Sequence, residues 1–226
     1  SDFGYDVAID DKLILVGAPS DRKADGVAVG AAYFFALADG QWREVARLSV
    51  DDELLGSAVA LHGNTALIGA TDSPGMGDDI TAAAYVFEYA NGTWQERQRL
   101  PLRYRRNTDM RIDVHGENAV VGLPGDGHLQ KAPYSGSAYF YRREQGHWLQ
   151  IRKFSPADPK MSENFGNGVG IGGDVALVGK LWRESAGDDP TIIHVFELGR
   201  DPLCTNDGAC VCVEGAAGQL CDERPL

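Results

Sequence analysis

The sequence predicts an all-β fold made from four copies of one four-stranded antiparallel unit, with a small disulfide-rich tail behind them. Three observations carry this. A short apolar strand ending in glycine recurs as Leu13-Ile14-Leu15-Val16-Gly17, Ala66-Leu67-Ile68-Gly69, Ala119-Val120-Val121-Gly122 and Ala176-Leu177-Val178-Gly179, the glycines lying 52, 53 and 57 residues apart. About fourteen residues after each comes an aromatic strand, represented by Tyr33-Phe34-Phe35, Tyr85-Val86-Phe87, Tyr139-Phe140-Tyr141 and His194-Val195-Phe196. A tryptophan strand follows in three copies, at Trp42, Trp94 and Trp148. Self-similarity at a period near fifty means propeller blades or a solenoid, because one such unit cannot bury its apolar face alone.

The elements of the first copy follow from alternating apolar residues and from turn residues. Tyr5 to Ile9 reads as a strand, Asp10-Asp11 as a tight turn, and Lys12 to Gly17 as the second strand. A longer loop, Ala18 to Gly30, leads to a third strand at Ala31 to Leu37, and Asp39-Gly40 turns the chain into a fourth at Gln41 to Val50. Later copies repeat the order, with inner turns at His62-Gly63-Asn64, His115-Gly116-Glu117-Asn118 and Gly172-Gly173-Asp174, and outer hairpins at Asn91-Gly92 and Gln145-Gly146. Four antiparallel strands joined by tight turns describe a β-propeller blade, whereas solenoids use shorter coils or helices. The predicted fold is therefore a β-propeller or propeller segment. Its repeats run over 1–55, 56–107, 108–163 and 164–199, and residues 200–226 form a cysteine-rich tail.

Composition bounds the function. With 43% hydrophobic and 24% charged residues the chain is globular, not disordered. A net charge of −12 argues against general nucleic-acid binding, which needs Lys and Arg to neutralise phosphates. No apolar run reaches the ~20 residues that span a bilayer. The four cysteines, Cys204, Cys210, Cys212 and Cys221, all lie in the tail. That segment lacks apolar residues for a core, so disulfides are expected to hold it. A four-thiolate zinc site is the alternative, but the middle pair is Cys-x-Cys and not a CxxC knuckle. Disulfides imply an oxidising compartment. Asn91-Gly92-Thr93 is a glycosylation sequon in a hairpin turn, which fits an extracellular chain. Ser1 to Gly4 form no signal peptide, and the expectation is a mature or trimmed part of a longer precursor.

Phe3-Gly4, Val7-Ala8, Gly17-Ala18-Pro19 and the Tyr-Phe strand resemble the FG-GAP repeat found in integrin α-chain propellers and in many secreted proteins. The likeness runs over residues 1–199 and returns at Phe165-Gly166; Gly69-Ala70-Thr71 and Gly122-Leu123-Pro124 match in part. Gly208 to Cys221 is similar to the C-terminal half of an EGF-like module, whose first cysteines are missing here. The resemblance implies an extracellular role in binding, adhesion or scaffolding, with other extracellular proteins or further copies and segments of the same assembly as partners. Calcium-binding members of the family hold the ion in a long Asp-rich loop between strands one and two. Here that connection has two to four residues in every copy, too short to surround an ion with six to eight oxygens, so no cofactor is expected.

Binding is expected on the loops between strands two and three, which are long and variable and share a face with the connections between blades. The candidates there are the basic cluster Arg103-Tyr104-Arg105-Arg106 and the loop aromatic Tyr134. Asp21 with Asp25, and Asp72 with Asp78 and Asp79, are weaker candidates for a hard cation, because Asp is also an ordinary turn residue. His62 and His115 share a repeat position, but as turn tips on neighbouring blades they are expected to diverge. The tryptophans are expected to pack between blades. No catalytic motif is present, and the chain is not expected to be an enzyme. Two other readings stay open: a carbohydrate-binding propeller using loop aromatics, and an accessory domain of a larger secreted enzyme.

Overall fold

A computed structural model describes residues 2–24, 26–50, 53–72, 80–104, 110–126, 134–156, 164–180, 192–198, 203–204 and 210–211. Among the described residues the chain is all-β, with four antiparallel sheets of three or four strands that follow the sequence in order and a two-stranded pair in the tail. Blade 1 contains β1 (Val7–Asp10), β2 (Leu13–Ala18), β3 (Ala31–Ala38) and β4 (Gln41–Leu48). Blade 2 contains β5 (Glu53–His62), β6 (Thr65–Asp72), β7 (Ile80–Ala90) and β8 (Thr93–Tyr104). Blade 3 contains β9 (Arg111–His115), β10 (Asn118–Leu123), β11 (Ser137–Glu144) and β12 (His147–Phe154). Blade 4 has three strands among the described residues, β13 (Gly168–Gly172), β14 (Val175–Lys180) and β15 (Ile192–Glu197). In the tail, β16 (Leu203–Cys204) pairs with β17 (Cys210–Val211), with Cys204 opposite Cys210. Cys212 and Cys221 lie outside the described residues.

The turns set the blade. All four inner connections are two residues long, and their first residues, Asp11, Gly63, Gly116 and Gly173, have φ of 48°, 58°, 59° and 57°. The outer hairpins turn at Asp39-Gly40, Asn91-Gly92 and Gln145-Gly146, with φ positive at both positions. That backbone matches the right-handed twist of the flanking strands. Each outer strand then carries a bulge at one repeat position: Val45, Arg97 and Ile151 are each the extra residue opposite a break in the ladder. A bulge strengthens the local twist and aims its residue outward; all three are exposed.

The sheets bury their faces against one another, and alternation within each strand decides which neighbour a residue meets. Leu15 and Phe34 of blade 1 pack with Ile68, Tyr85 and Phe87 of blade 2. Leu67, Val86 and Leu100 of blade 2 pack with Ile112, Val121 and Tyr141 of blade 3. Val120 and Phe140 of blade 3 pack with Phe165, Val178 and Phe196 of blade 4. Trp94 stacks on Phe34 across the first junction, with centroids 4.1 Å apart and planes 19° apart. Trp148 is buried in the second. Trp42 occupies the same repeat position and is exposed, because its face of blade 1 has no neighbouring blade among the described residues.

Two of the three junctions are locked by backbone. A Cβ on Gly17 would lie 2.2 Å from the Gly56 carbonyl oxygen, and one on Gly122 would lie 2.1 Å from that of Gly166. Gly17 and Gly122 thus each receive the entry segment of the next blade at a distance that excludes any side chain, whereas Gly69 faces the Met110 sulfur. Parallel bridges Gly30↔Leu55 and Gly136↔Phe165 repeat the contact beside it. Leu55-Gly56 therefore stands where Phe165-Gly166 stands in the fourth repeat, although its sequence disguises it.

Candidate binding surfaces

In blades 1 and 3 the loop between the second and third strands leaves its blade through a fixed neck. In blade 1 the Asp21 carbonyl accepts the N–H of Val29 and of Gly30, at 3.0 and 3.1 Å, closing the loop on itself. The Asp21 carboxylate accepts the Tyr33 hydroxyl at 2.6 Å and pairs with Arg47 at 2.7 Å. Blade 3 repeats this: the Asp126 carbonyl accepts the Gly136 N–H at 2.7 Å, and its carboxylate takes the Tyr139 hydroxyl at 2.9 Å and the Lys153 ammonium at 2.8 Å. In blade 2, Arg99 donates to the Tyr85 hydroxyl at 3.1 Å; the residue matching Asp21 there is Ser73, outside the described residues. In blades 1, 2 and 3 the cation also lies near the tyrosine ring.

The electrostatics follow the contacts. The Tyr33 hydroxyl, with help from Arg47, holds the Asp21 carboxyl below its ordinary value against a modest cost of burial. Burial alone would raise Asp126, but the Lys153 ammonium outweighs it and the net direction is downward. Burial raises Tyr139, and for Lys153 the bond to Asp126 outweighs burial and raises it. These are closed ion pairs at loop bases.

Of the residues singled out by sequence, Tyr134 is half-buried with φ of 60°, and its carbonyl accepts the Asn164 N–H at 2.9 Å where blade 3 meets blade 4. Arg103 and Tyr104 end β8, in register with Thr81 and Ile80. Asp72 ends β6. Arg105, Arg106, Asp25, Asp78 and Asp79 fall outside the described residues. Asn91 is exposed at the β7–β8 turn, on the face opposite the loops. A groove of about 570 Å³ runs along β4 to that turn and is lined by Leu13, Val45, Arg47, Leu48, Tyr89 and Trp94.

The two histidines correct an expectation. His62 and His115 do not diverge; their rings lie 4.4 Å apart. The inner strands β1, β5, β9 and β13 are successive neighbours, so their turns gather at one edge instead of splaying outward. His62 Nδ1 accepts the Gly116 N–H at 3.2 Å, and His115 Nδ1 accepts the Gly173 N–H at 3.1 Å. In the first blade Asp10 does the same for the Gly63 N–H. The position is a latch onto the next blade's turn. Among the described residues no group of three or more His, Cys, Asp or Glu is placed to hold a metal ion.

The Asp–Tyr–cation necks escaped sequence reasoning, although a signal was there. Tyr33 to Arg47, Tyr85 to Arg99 and Tyr139 to Lys153 are all fourteen residues apart.

Two stretches of the chain match the FG-GAP repeat family, residues 1–35 and 148–196. They contain Phe3-Gly4 with Gly17-Ala18-Pro19, and Phe165-Gly166 with the strands of blade 4. Together with the antiparallel sheets, the match supports an FG-GAP repeat protein. The structure gives that pattern a physical meaning, since Phe165-Gly166 seats on Gly122-Leu123 of the repeat before it. No curated protein matches the sequence significantly. FG-GAP repeats suggest an integrin-like propeller domain, a kind that generally binds proteins. Among the described residues no helix is long and apolar enough to cross a membrane.

Proposed function

We propose that this chain is an extracellular binding scaffold, serving adhesion or assembly, which meets protein partners on the face formed by the β2–β3 loop of blade 1 and its counterparts. It acts by contact and not by catalysis. The repeated Asp–Tyr–cation neck carries this reading. It holds the base of a loop rigid in one place while leaving the loop itself free to differ from blade to blade, which is how binding surfaces are built on repeat scaffolds. The opposite face is taken up by two-residue turns, their latches and the Asn91 sequon. FG-GAP repeats occur in extracellular and surface proteins, which supports the compartment.

The test immobilises the chain against a secreted-protein fraction and compares variants with native-like circular dichroism. Replacing Arg103, Arg105 and Arg106 by Ser, or residues 127–133 by a Gly-Ser linker, is expected to weaken capture of a defined partner at least tenfold. Asn91→Gln on the other face should leave capture unchanged. Retention by both loop variants would remove the function from this face.

A carbohydrate-binding role is the second reading, favoured by the groove beside Tyr89, whose ring is largely exposed at the rim. Trp94 is committed to Phe34 and offers little of its face to a sugar. Glycan binding abolished by Tyr89→Ala and unaffected by the loop variants would select this reading over the first.

A further inference from the structure

The inner turns of blades 2, 3 and 4 are each held by a side chain of the blade before, and two of those three side chains are imidazoles. Asp10 takes the Gly63 N–H, His62 Nδ1 the Gly116 N–H at 3.2 Å, and His115 Nδ1 the Gly173 N–H at 3.1 Å. An imidazole nitrogen that accepts a hydrogen bond carries no proton, so the ring N–H of both histidines sits at Nε2. That tautomer leaves one place for a second proton, and it is the latching atom itself. A proton on Nδ1 turns the acceptor into a donor aimed at another donor, and the bond is lost. The two rings also lie 4.4 Å apart, so a pair of imidazolium charges there would repel. A carboxylate at the same position, as in Asp10, remains an acceptor over the range in which imidazole gains a proton.

We propose that His62 and His115 form a pair of acid-released latches: in mildly acidic medium the inner turns of blades 3 and 4 come away from the blades before them, while the Asp10 latch between blades 1 and 2 holds. Histidine is the side chain whose charge changes between pH 5 and 8. The charged groups around the rings cannot repair the bond. Asp113 on β9 interacts with both histidines, but its carboxylate already accepts the Ile171 and Val114 N–H groups. The neighbouring turns carry Asp11 and Lys12, Glu117 and Asp174, and Glu117 lies 3.8 Å from Arg143. Carboxylates can accept from an imidazolium that has turned away, but they cannot replace the acceptor that a glycine N–H has lost. The release is confined to the turn edge. Between blades 3 and 4 the close approach of Gly122 to Gly166 and the bridge Gly136↔Phe165 stay in place, so blade 4 can tilt about them. Gly69 meets the Met110 sulfur and not backbone, so the junction of blades 2 and 3 relies more on its latch.

Nitrogen-15 NMR of the 226-residue chain tests this. At about pH 7.5 both rings should carry their N–H at Nε2. Between about pH 7.5 and about pH 5.5 the exchange protection of the Gly116 and Gly173 amides, corrected for the intrinsic rate, should fall about tenfold, and that of Gly63 should not change. Gly63 is the internal control, because its latch is a carboxylate. His62→Asn and His115→Asn supply an oxygen acceptor that gains no proton in this range, and Asp10 shows that a side chain of that length reaches the next turn. Each should hold the protection of its glycine at both pH values, with folding checked by circular dichroism. If an Asn variant does not fold, the comparison of the three glycines in the unaltered chain decides alone. A proton on Nδ1 at pH 7.5 overturns the proposal, as does protection that stays constant at Gly116 and Gly173. A parallel fall at Gly63 also overturns it, since acid is then loosening the whole fold. So does an equal loss at pH 5.5 in folded Asn variants, which takes the release away from the imidazoles.

Discussion

Tryptophan at one repeat position faces three different surroundings, and truncating each in turn measures what a blade junction contributes. Trp94 lies flat on Phe34 and Trp148 is nearly fully buried, while Trp42 is open to solvent. An aromatic side chain buries 150–250 Å², and at about 25 cal/mol per Å² that is roughly 4–6 kcal/mol as an upper bound. Truncating a core tryptophan to alanine costs about 3–5 kcal/mol in practice. Trp94→Ala and Trp148→Ala should therefore each lose about 3–5 kcal/mol, and Trp42→Ala about 1 kcal/mol at most. Urea unfolding followed by far-ultraviolet circular dichroism, at submicromolar protein, isolates the single chain and does not depend on the residue removed. Equal losses at all three positions would mean that the open face of blade 1 is covered within one chain. A loss below 1 kcal/mol for Trp94→Ala would mean that the stacked pair does not hold blades 1 and 2 together. Trp148 adds a refinement, since its indole N–H is buried with no hydrogen-bond partner. Trp148→Phe removes that orphan donor and should cost clearly less than Trp148→Ala.

Four further outcomes follow from the junctions, the loop necks, a buried carboxylate and the turn face. Gly122→Ala sets a methyl group 2.1 Å from backbone and should cost about 1–3 kcal/mol, whereas Gly168→Ala enters open space and should stay within about 0.5 kcal/mol in the same urea titration. Asp126 lies below its ordinary value of 3.8 in the fold, so its contribution is present above that value and is lost as pH falls through the lowered one; Asp126→Asn should flatten the acid limb of stability measured from pH 7 to 2. Asp113 has the opposite sign: burial raises it, its ionised form is a penalty at neutral pH, and the penalty fades as pH drops through the raised value. Asn91→Gln should abolish any glycan mass shift in protein from its natural source without altering stability by more than about 0.5 kcal/mol, because Gln145 holds the equivalent turn in blade 3 at φ of 50°.

What was legible in the sequence is what local chemistry decides. Asp39-Gly40, Asn91-Gly92 and Gln145-Gly146 turn where expected because their conformation depends on the dipeptide itself. The alternation that separates Leu15 from Val16 is likewise a property of the strand. Contacts between repeats were harder to read. His62 and His115 look like isolated turn tips until β5 and β9 are set side by side, and then their rings nearly touch. Leu55-Gly56 hides its role because leucine fills the place of phenylalanine, while Gly56 keeps the φ of 101° and the close approach that the junction demands. Asp126, Tyr139 and Lys153 come from three elements and converge only after the bulge at Ile151 has set the register of β12.

One consequence of repetition was available all along and needed burial to become visible. A repeat array writes the same face into every copy, so Val7, Ile9 and Trp42 repeat the apolar character that Val59, Leu61 and Trp94 bury against blade 1. Here Val7 and Ile9 remain as apolar as Val59 and Leu61, and Ile193 is larger than the Ala138 it replaces.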